Sequence, residues 1–277
     1  MGQVLRQIWP HEFGASHPLI WQGRGDCPAD WFHWDMLARP YPGPPLTQGV
    51  ILHLAGITPG PGRDLADNTP LAIAACTAAM QAGARHVFIT SSAAVYGPGT
   101  GADLTEGAPL NPVNPYGHAK AAMETAVLHW QAGQTGAAPA VTILRIGNVL
   151  GLDALIGAAD PAVPVILDPV PDAPGGPVRS YIGPRSLAAV LAQLCQAAMA
   201  GTPLPAVINI AAAPAVAMAA LLVAADQPWR YGPPNPAVVA RVVLATARLQ
   251  ALAPLPANAG QPDTMIAEWR SLHKGPA

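Results

Sequence analysis

The chain has 277 residues, of which 51% are hydrophobic and 11% charged, so it can fold around a sizeable core and is not a disordered chain. Its 14 basic and 16 acidic side chains nearly balance, which excludes the strongly basic surface that nucleic-acid binding needs. The three cysteines, Cys27, Cys76 and Cys195, lie far apart and predict buried thiols, with neither a disulfide framework nor a metal site.

The apolar segments of the sequence bear on where in the cell the protein is found. The first residues lack a basic segment followed by an apolar stretch, so we expect no signal peptide and a cytoplasmic protein. The longest apolar run, 208–225, is interrupted by Asn209 and Pro214. This run predicts a strand, a turn and a buried helix and argues against a membrane span.

Helix and strand signals alternate along the chain. The opening residues predict a helix whose apolar face is formed by Val4, Leu5, Ile8 and Trp9. Apolar runs further on predict strands over 19–22, from 31 onward, and over 50–54, 87–90, 141–144 and 207–210, with helices over 71–81 and 116–131. This alternation predicts an α/β fold with a parallel sheet covered on both faces.

Two polar residues in one predicted helix suggest chemistry. Tyr116 and Lys120 are four residues apart, so they lie on one helix face about one turn from each other. A nearby ammonium favours the phenolate and lowers the pKa of a tyrosine, which makes Tyr116 a candidate general base or acid. Alone the spacing is weak, because it also occurs in ordinary amphipathic helices.

An upstream segment strengthens this interpretation. The strand over 87–90 ends in Ser91 and Ser92, and open α/β sheets bind their ligands at the carboxyl ends of parallel strands. Ser92 and Tyr116 could therefore act on one substrate. Residues 91–97 read Ser-Ser-x-x-x-Tyr-Gly, and residues 115–120 read Pro-Tyr-Gly-x-x-Lys.

These two motifs, in this order and separation, resemble the extended short-chain dehydrogenase/reductase family, in its NAD-dependent epimerase/dehydratase branch. The resemblance implies a Rossmann-like doubly wound parallel sheet over 1–150 that binds NAD or NADP, and a small substrate-binding part over 151–277 interleaved with it. It also implies an NAD(P)-dependent enzyme that acts on a secondary alcohol or ketone, possibly a nucleotide-sugar.

The resemblance assigns cofactor contacts along the first half of the chain. Asn68 matches the asparagine with which the family steadies the strand bearing the serines, and Lys120 would bind the nicotinamide ribose. The full set of implied cofactor contacts is Gly2, Arg24, Asp35, Met36, Leu54, Ala55, Gly56, Asn68, Ser91, Tyr116, Lys120 and Ile146.

The chain opens where the family would already have passed its first strand and glycine-rich loop. Its first residues resemble the helix after that loop, with Gly2 in the place of the third glycine. We favour a natural start upstream, with roughly ten residues absent from the sequence given. The alternative is a natural short form that binds its dinucleotide poorly.

Arg24 bears on the choice of cofactor. It follows the predicted second strand, where an arginine could pair with the 2′-phosphate of NADP. This is a slight lean toward NADP, because an exposed arginine at a strand end needs no ligand to explain it.

The sequence indicates the substrate contacts less clearly than the cofactor contacts. The resemblance assigns substrate contacts to Ser92, Ala93, Tyr116, Asn148 and Arg179. The two aspartates that usually follow this arginine in sugar-nucleotide enzymes are absent here, so Arg179 could bind a phosphate or carboxylate or be an ordinary loop arginine. The proline-rich stretch 160–177 predicts a substrate-side loop or a poorly ordered connector.

The implied mechanism gives each catalytic residue one role. Tyr116 would take the hydroxyl proton while the carbon gives hydride to the nicotinamide, Ser92 would hold the substrate oxygen, and Lys120 would lower the phenol pKa. Because Ala93 and Ala94 stand where dehydratases carry an Asp-Glu pair, we expect epimerisation or reduction in preference to dehydration. The alternative is a non-catalytic dinucleotide-binding sensor or scaffold. The family also suggests a homodimer through the two predicted helices.

Overall fold

The structure, a computed structural model, describes residues 1–16, 18–25, 27–99 and 101–272. Its α-helices are α1 Gly2–Glu12, α2 Asn68–Ala82, α3 Pro115–Ala132, α4 Pro184–Met199, α5 Met218–Ala224, α6 Ala247–Leu252 and α7 Pro262–Ser271. Its strands are β1 Gln22–Gly23, β2 Phe32–His33, β3 Val50–His53, β4 His86–Ser92, β5 Ala140–Ile146, β6 Asn148–Val149, β7 Val165–Leu167, β8 Val178–Arg179, β9 Tyr181–Ile182, β10 Val207–Ile210, β11 Val216–Ala217, β12 Trp229–Tyr231 and β13 Arg241–Val242. Short 3₁₀ helices follow β3 and β4, at Leu65–Asp67 and Ala93–Tyr96.

Two parallel sheets carry the first half of the chain. The larger has the strand order β10–β5–β4–β3, with every neighbouring pair parallel. The smaller pairs β1 with β2, also in parallel. Within the described residues no strand joins β1 to β3. A strand upstream of the given sequence stays a prediction.

Helices cover both faces of the larger sheet, as the alternation of signals predicts. On one face α1 and α4 bury Leu5, Ile8 and Trp9 against sheet residues such as Leu144 and Ile208. On the other face α2 packs mainly through alanines, and α3 through Met123 and Val127, onto the opposite side chains of the same strands. The doubly wound α/β fold is therefore confirmed.

The second half of the chain divides its residues between this sheet and a separate core. Strand β10 joins the larger sheet beside β5, and α4 packs on that sheet. The pairs β6–β9 and β7–β12, the three-stranded sheet β11–β8–β13, and the helices α5 and α7 build the rest. Their core includes Leu150, Tyr181, Leu222, Met265 and Ile266.

Several predicted bounds are corrected. The second strand is Gln22–Gly23 and not 19–22, because Leu19 packs on the core without pairing and Trp21 only accepts one hydrogen bond, from the Phe32 amide. The strand from 31 onward is only Phe32–His33. The expected loop 160–177 contains β7. The apolar run 208–225 contains β10, β11 and α5, as predicted.

Cys76 and Cys195 are buried free thiols, and burial raises the pKa of each to about 12. Cys27 is free and half-buried.

In the part of the chain that the structure covers, no helix has both the length and the apolar character to cross a bilayer.

Candidate functional site

The first turn of α3 is fixed by its own sequence. Asn114 is the N-cap, and its side-chain oxygen accepts a hydrogen bond from the Gly117 amide at 2.8 Å. Pro115 occupies the first turn, where its missing N–H costs nothing. A Cβ on Gly117 would lie 2.5 Å from the carbonyl oxygen of Ala94, so glycine allows α3 to pack closely on the 3₁₀ helix after β4. This close approach brings Tyr116 to the end of β4.

Ser92 and Tyr116 meet through a side-chain hydrogen bond. Burial raises the pKa of Tyr116 above its ordinary value, and the hydrogen bond from Ser92 opposes that rise. The expected lowering of this pKa by Lys120 is not found. The reason is geometric: the Lys120 ammonium is engaged elsewhere, with the backbone of β4.

Lys120 lies one turn after Tyr116 and is only 3% exposed. Its ammonium donates to the carbonyl oxygen of Thr90 at 3.0 Å, which ties α3 to β4 two residues before Ser92. Burial lowers the pKa of Lys120 to about 8, and the negative charge of Glu124 opposes this lowering. Lys120 is therefore a buried cation at the edge of the sheet.

The end of β3 forms the neighbouring part of the site. His53 is 4% exposed, and neither ring nitrogen has a hydrogen-bond partner among the described residues. Burial lowers the pKa of His53 to about 3, with the charge of Lys120 adding to the effect, so the imidazole is neutral and His53 is not a base at this site. A Cβ on Gly56 would lie 3.2 Å from both Lys120 Nζ and Asn68 Oδ1, so the glycine leaves room beside the ammonium.

Asn68 acts on a different segment from the one expected. Its side-chain oxygen accepts from the Ile57 amide at 3.1 Å, and its amide group donates to the carbonyls of Ile57 and Leu65. Because the side chain turns back from the start of α2, it holds the loop after β3, and none of these bonds reaches the strand bearing the serines. Gly56 belongs to the loop that Asn68 holds.

One turn after Lys120, α3 contributes Glu124 to a buried ion pair. Glu124, 1% exposed, accepts from Arg145 on β5, with an Nη2 to Oε2 distance of 2.7 Å. The Ser91 hydroxyl donates to Glu124 Oε1 at 2.5 Å. The structure thus turns Ser91 inward, where it supports the end of β4.

The ion pair extends across the sheet. Ser91, Arg145 and Asn209 are register partners on three adjacent strands. Arg145 Nη1 donates to the Tyr96 hydroxyl at 2.9 Å, and that hydroxyl donates to Asn209 Oδ1 at 2.8 Å. Asn209 then donates from its side-chain amide to the carbonyls of Leu104 and Ala245, so the row reaches the loops beyond the sheet.

Sequence reasoning missed this network, although signals were present. Glu124 continues the face of Tyr116 and Lys120 by one further turn, which makes it a neighbour of the site. Arg145 is a charged residue inside an otherwise apolar strand, and such residues need a buried partner. Asn209 was noted only as an interruption of an apolar run.

Other predicted site residues lie close to Ser92, Tyr116 and Lys120. Leu54 and Ala55 follow β3 directly, half-buried, in the loop that contains Gly56. Ile146 pairs in register with Ser92, and Ala93 begins the 3₁₀ helix that Ser92 caps. The strand-end part of the expected site is therefore assembled at one edge of the sheet.

Two expected substrate contacts lie on other elements. Asn148 is in β6, which pairs with β9, and its backbone N–H donates to the carbonyl oxygen of Ser180. Arg179 in β8 donates to the carbonyl oxygens of Val178 and Val239, and burial lowers its pKa. The guanidinium of Arg179 is thus bonded to backbone carbonyl groups.

The expected contacts at the outer end of the cofactor site stand apart in sequence from the serine, tyrosine and lysine of the two motifs. Arg24 is exposed after β1. Asp35 accepts from the Leu37 amide at 3.1 Å, and Met36 packs against the core on the α2 and α3 side. Gly2 begins α1, with no atom within 4 Å of an added Cβ.

A cleft of about 520 Å³ opens next to α3. Pro98, Gly101 and Val113 line one side, and residues 236–241 line the other. No group of three or more His, Cys, Asp or Glu side chains within the described ranges could hold a metal ion.

Comparison with known proteins agrees with this geometry. Residues 47–160 match the model of the NAD dependent epimerase/dehydratase family. That segment contains Ser92, Tyr116 and Lys120. No protein of curated function matches the chain.

Solved structures with the same fold are similar over nearly the whole chain. A structure titled as the NAD dependent NDP-hexosamine 5,6-dehydratase TunA is 18% identical, with a TM-score of 0.70, over 98% of this chain and 94% of that chain. MoeE5, solved with UDP-glucuronic acid and NAD, is 21% identical with a TM-score of 0.70 over 98% of this chain and 95% of its own. The UDP-glucose 4-epimerase of Bifidobacterium longum, solved with NAD+ and UDP, is 18% identical with a TM-score of 0.63, over 80% and 76% of the two chains.

At these identities the solved structures establish the fold, and the family match covers the segment that carries the assembled side chains. Residues 47–160, which carry Ser92, Tyr116 and Lys120, are therefore similar to the NAD dependent epimerase/dehydratase family.

Proposed function

We propose that this protein catalyses NAD(P)-dependent oxidation and reduction at a secondary alcohol carbon of a nucleotide-sugar, in an epimerase or reductase reaction. The observation that carries the proposal is the hydrogen-bonded pair Ser92 and Tyr116 with the buried ammonium of Lys120 one turn away. MoeE5 was solved with NAD and UDP-glucuronic acid, and the Bifidobacterium longum UDP-glucose 4-epimerase with NAD+ and UDP, which supports this substrate class.

The residues present fit the nicotinamide end of a dinucleotide. Gly56 leaves open the space beside Lys120 and Asn68 that a side chain would fill. Lys120 supplies a cation and Tyr116 a hydroxyl, which are suitable partners for ribose hydroxyl groups. When bound, the dinucleotide supplies the acceptor and the donor of hydride.

Tyr116 is the proton-transferring residue in this proposal. Because burial raises its pKa, the phenol keeps its proton at neutral pH and is suited to protonate a carbonyl oxygen during reduction. In the direction of oxidation, the Ser92 hydrogen bond helps, since it lowers the pKa of Tyr116 and stabilises the phenolate. Ser92 is also placed to hold the substrate oxygen beside the phenol.

The surroundings favour epimerisation or reduction. Ala93 and Ala94, directly after Ser92, have no acid or base to remove a further proton. The cleft beside Val113 is the space for the remainder of the substrate. We assign the substrate-binding part to residues 151–277, interleaved with the dinucleotide-binding part over 1–150.

Binding and turnover test the proposal together. Calorimetry with NAD and NADP is expected to give binding, and UDP-glucose or UDP-glucuronic acid is expected to give cofactor-linked turnover. Tyr116→Phe should reduce turnover by about 10²- to 10⁴-fold, the usual contribution of a positioned acid or base. Tyr41→Phe is the matched control, because that exposed hydroxyl donates only to Pro44 O. Binding without turnover would favour a sensor or scaffold, and absence of binding would overturn the proposal.

Arg24 makes the proposal more specific. It is exposed directly after β1, and we propose that it adds affinity for the 2′-phosphate of NADP. Arg24→Ala should weaken NADP binding and leave NAD binding unchanged. Equal effects on the two dinucleotides would contradict this role.

We further propose a cytoplasmic homodimer formed through the outer faces of α2 and α3. Met80 and Leu128 on these helices are each 40% exposed, which supplies apolar surface for a second copy. Sedimentation velocity should give a dimer, and Leu128→Glu should give a monomer. A wild-type monomer at micromolar concentration would contradict the dimer.

A further inference from the structure

Helix α3 is attached to the end of β4 at two adjacent residues. Lys120 donates to the carbonyl oxygen of Thr90, and Glu124, one turn later, accepts from the hydroxyl of Ser91. The next residue of the strand is Ser92. The position of the catalytic serine is therefore defined by two bonds that start from α3 directly behind it.

Glu124 is held by more than one partner. Its two oxygens accept from Arg145 Nε at 3.1 Å each, and Oε2 also accepts from Arg145 Nη2 at 2.7 Å. With the Ser91 hydroxyl on Oε1, the buried carboxylate has four hydrogen bonds. This arrangement leaves Glu124 little freedom to rotate beside a permanent cation.

The ionisable groups around Lys120 come from three elements. His53 at the end of β3 is neutral, because its pKa is lowered to about 3. Tyr116, on α3, keeps its proton since burial raises its pKa. Arg145 reaches from β5 to Glu124. Burial lowers the pKa of Lys120 to about 8, and the charge of Glu124 is what raises it.

We propose that Glu124 is a positioning residue of this site, which keeps Lys120 charged near neutral pH and holds the end of β4 where Ser92 meets Tyr116. The inference about position rests on the proposed function. The inference about charge does not, because it concerns the resting protein.

Because the sequence has so few lysines, the charge of Lys120 can be measured directly. The sequence contains only two lysines, Lys120 and Lys274. Lysine labelled with ¹³C and ¹⁵N, in a protein carrying Lys274→Arg, therefore gives one side-chain signal whose pH titration belongs to Lys120. The wild-type background should titrate near pH 8. Glu124→Gln should lower the midpoint by roughly one pH unit, as expected when a nearby opposite charge is removed.

A matched control uses a second carboxylate with a comparable set of bonds. Glu268 accepts from the amides of Arg185 and Ser186 and from the Ser186 hydroxyl. Glu268→Gln should leave the Lys120 midpoint unchanged. An unchanged midpoint in folded Glu124→Gln would overturn the inference about charge.

Glu124→Asp tests position and covers the case in which Glu124→Gln does not fold. The shorter carboxylate stays paired with Arg145 but is drawn back from Ser91, so we expect at least a tenfold loss of kcat and a smaller fall of the midpoint. An Asp variant equal to the wild type in both measurements would overturn the proposal. If the wild type binds cofactor but has no turnover, the proposed function fails, and the Lys120 titration still decides the role of Glu124.

Discussion

Two regions of the molecule, named here the catalytic wall and the opposite wall, differ in how their charged side chains are held. The catalytic wall consists of residues 90–92 on β4 with Tyr116, Lys120 and Glu124 on α3, backed by Arg145. Its charges are buried and bonded to other side chains or to the strand end. The opposite wall consists of β8, β13 and residues 232–240. There the strands are two residues long, and Arg241 pairs with Asp103 at the surface.

This difference indicates a division of tasks. A buried, fully bonded network permits one arrangement of the reacting groups, because any displacement leaves a polar group unsatisfied. Exposed ion pairs contribute little, and short strands with long connections tolerate changes in sequence. In the proposed function, the catalytic wall fixes the chemistry and the opposite wall is free to determine which substrate enters.

The largest expected effect is on turnover. Ser92→Ala should lower kcat by about 10²-fold, since it removes the hydrogen bond that positions the reacting oxygen and stabilises the phenolate. The same change should raise the pKa of Tyr116 further, so the pH profile of oxidation should move to higher pH. Ser180→Ala, directly after β8 of the opposite wall, loses the bond from the Leu244 amide and is expected to keep the wild-type profile. A shared profile for both variants would remove the distinction between the walls.

The next effect is on stability. Arg145→Met leaves the buried Glu124 carboxylate unpaired and should lower the free energy of unfolding by about 3–5 kcal/mol. Arg179→Met on the opposite wall loses hydrogen bonds to two carbonyls and should cost about 1 kcal/mol. Urea unfolding of both variants measures the difference. Equal losses would mean that the buried pair is no more important than the surface-side arginine.

A third expectation concerns pH. Below pH 8 Lys120 is charged in both the folded and the unfolded protein, so the cost of burying it is fully present. Between pH 8 and 10.5 the unfolded chain binds a proton that the folded protein has lost, and the free energy of unfolding should rise by about 3 kcal/mol in total. Lys120→Met removes this contribution. Unfolding of both proteins below pH 8 and near pH 10 measures it, and parallel pH dependences would contradict it.

The smallest expected effect is local. Asn114→Ala removes the cap of α3 and should cost about 1 kcal/mol. Asn235 accepts a similar bond from the Ala237 amide and donates to Asp168 Oδ2, but in a loop of the opposite wall, so Asn235→Ala should change stability by no more than about 0.5 kcal/mol. Thermal unfolding compares them. A larger loss for Asn235 would show that the opposite wall is as tightly specified as the catalytic wall.

Much of the catalytic wall could be predicted from the sequence. Tyr116 and Lys120 share a helix face because helical periodicity is local, and the α3 bounds differ from the predicted ones by one residue at each end. Ser92 was placed at a strand end because apolar runs mark buried parallel strands. The same local signals were weaker for β1 and β2, which are only two residues long, and their predicted bounds were wrong.

The sequence by itself determined the order of helices and strands and the set of groups at the end of β4, because both follow from short-range periodicity. Only the tertiary structure decided that Ser91, Arg145 and Asn209 stand in one row, since strand register joins residues far apart in the chain. It also decided that the pKa of Tyr116 is raised, because burial is set by everything packed around the phenol and outweighs the hydrogen bond from Ser92.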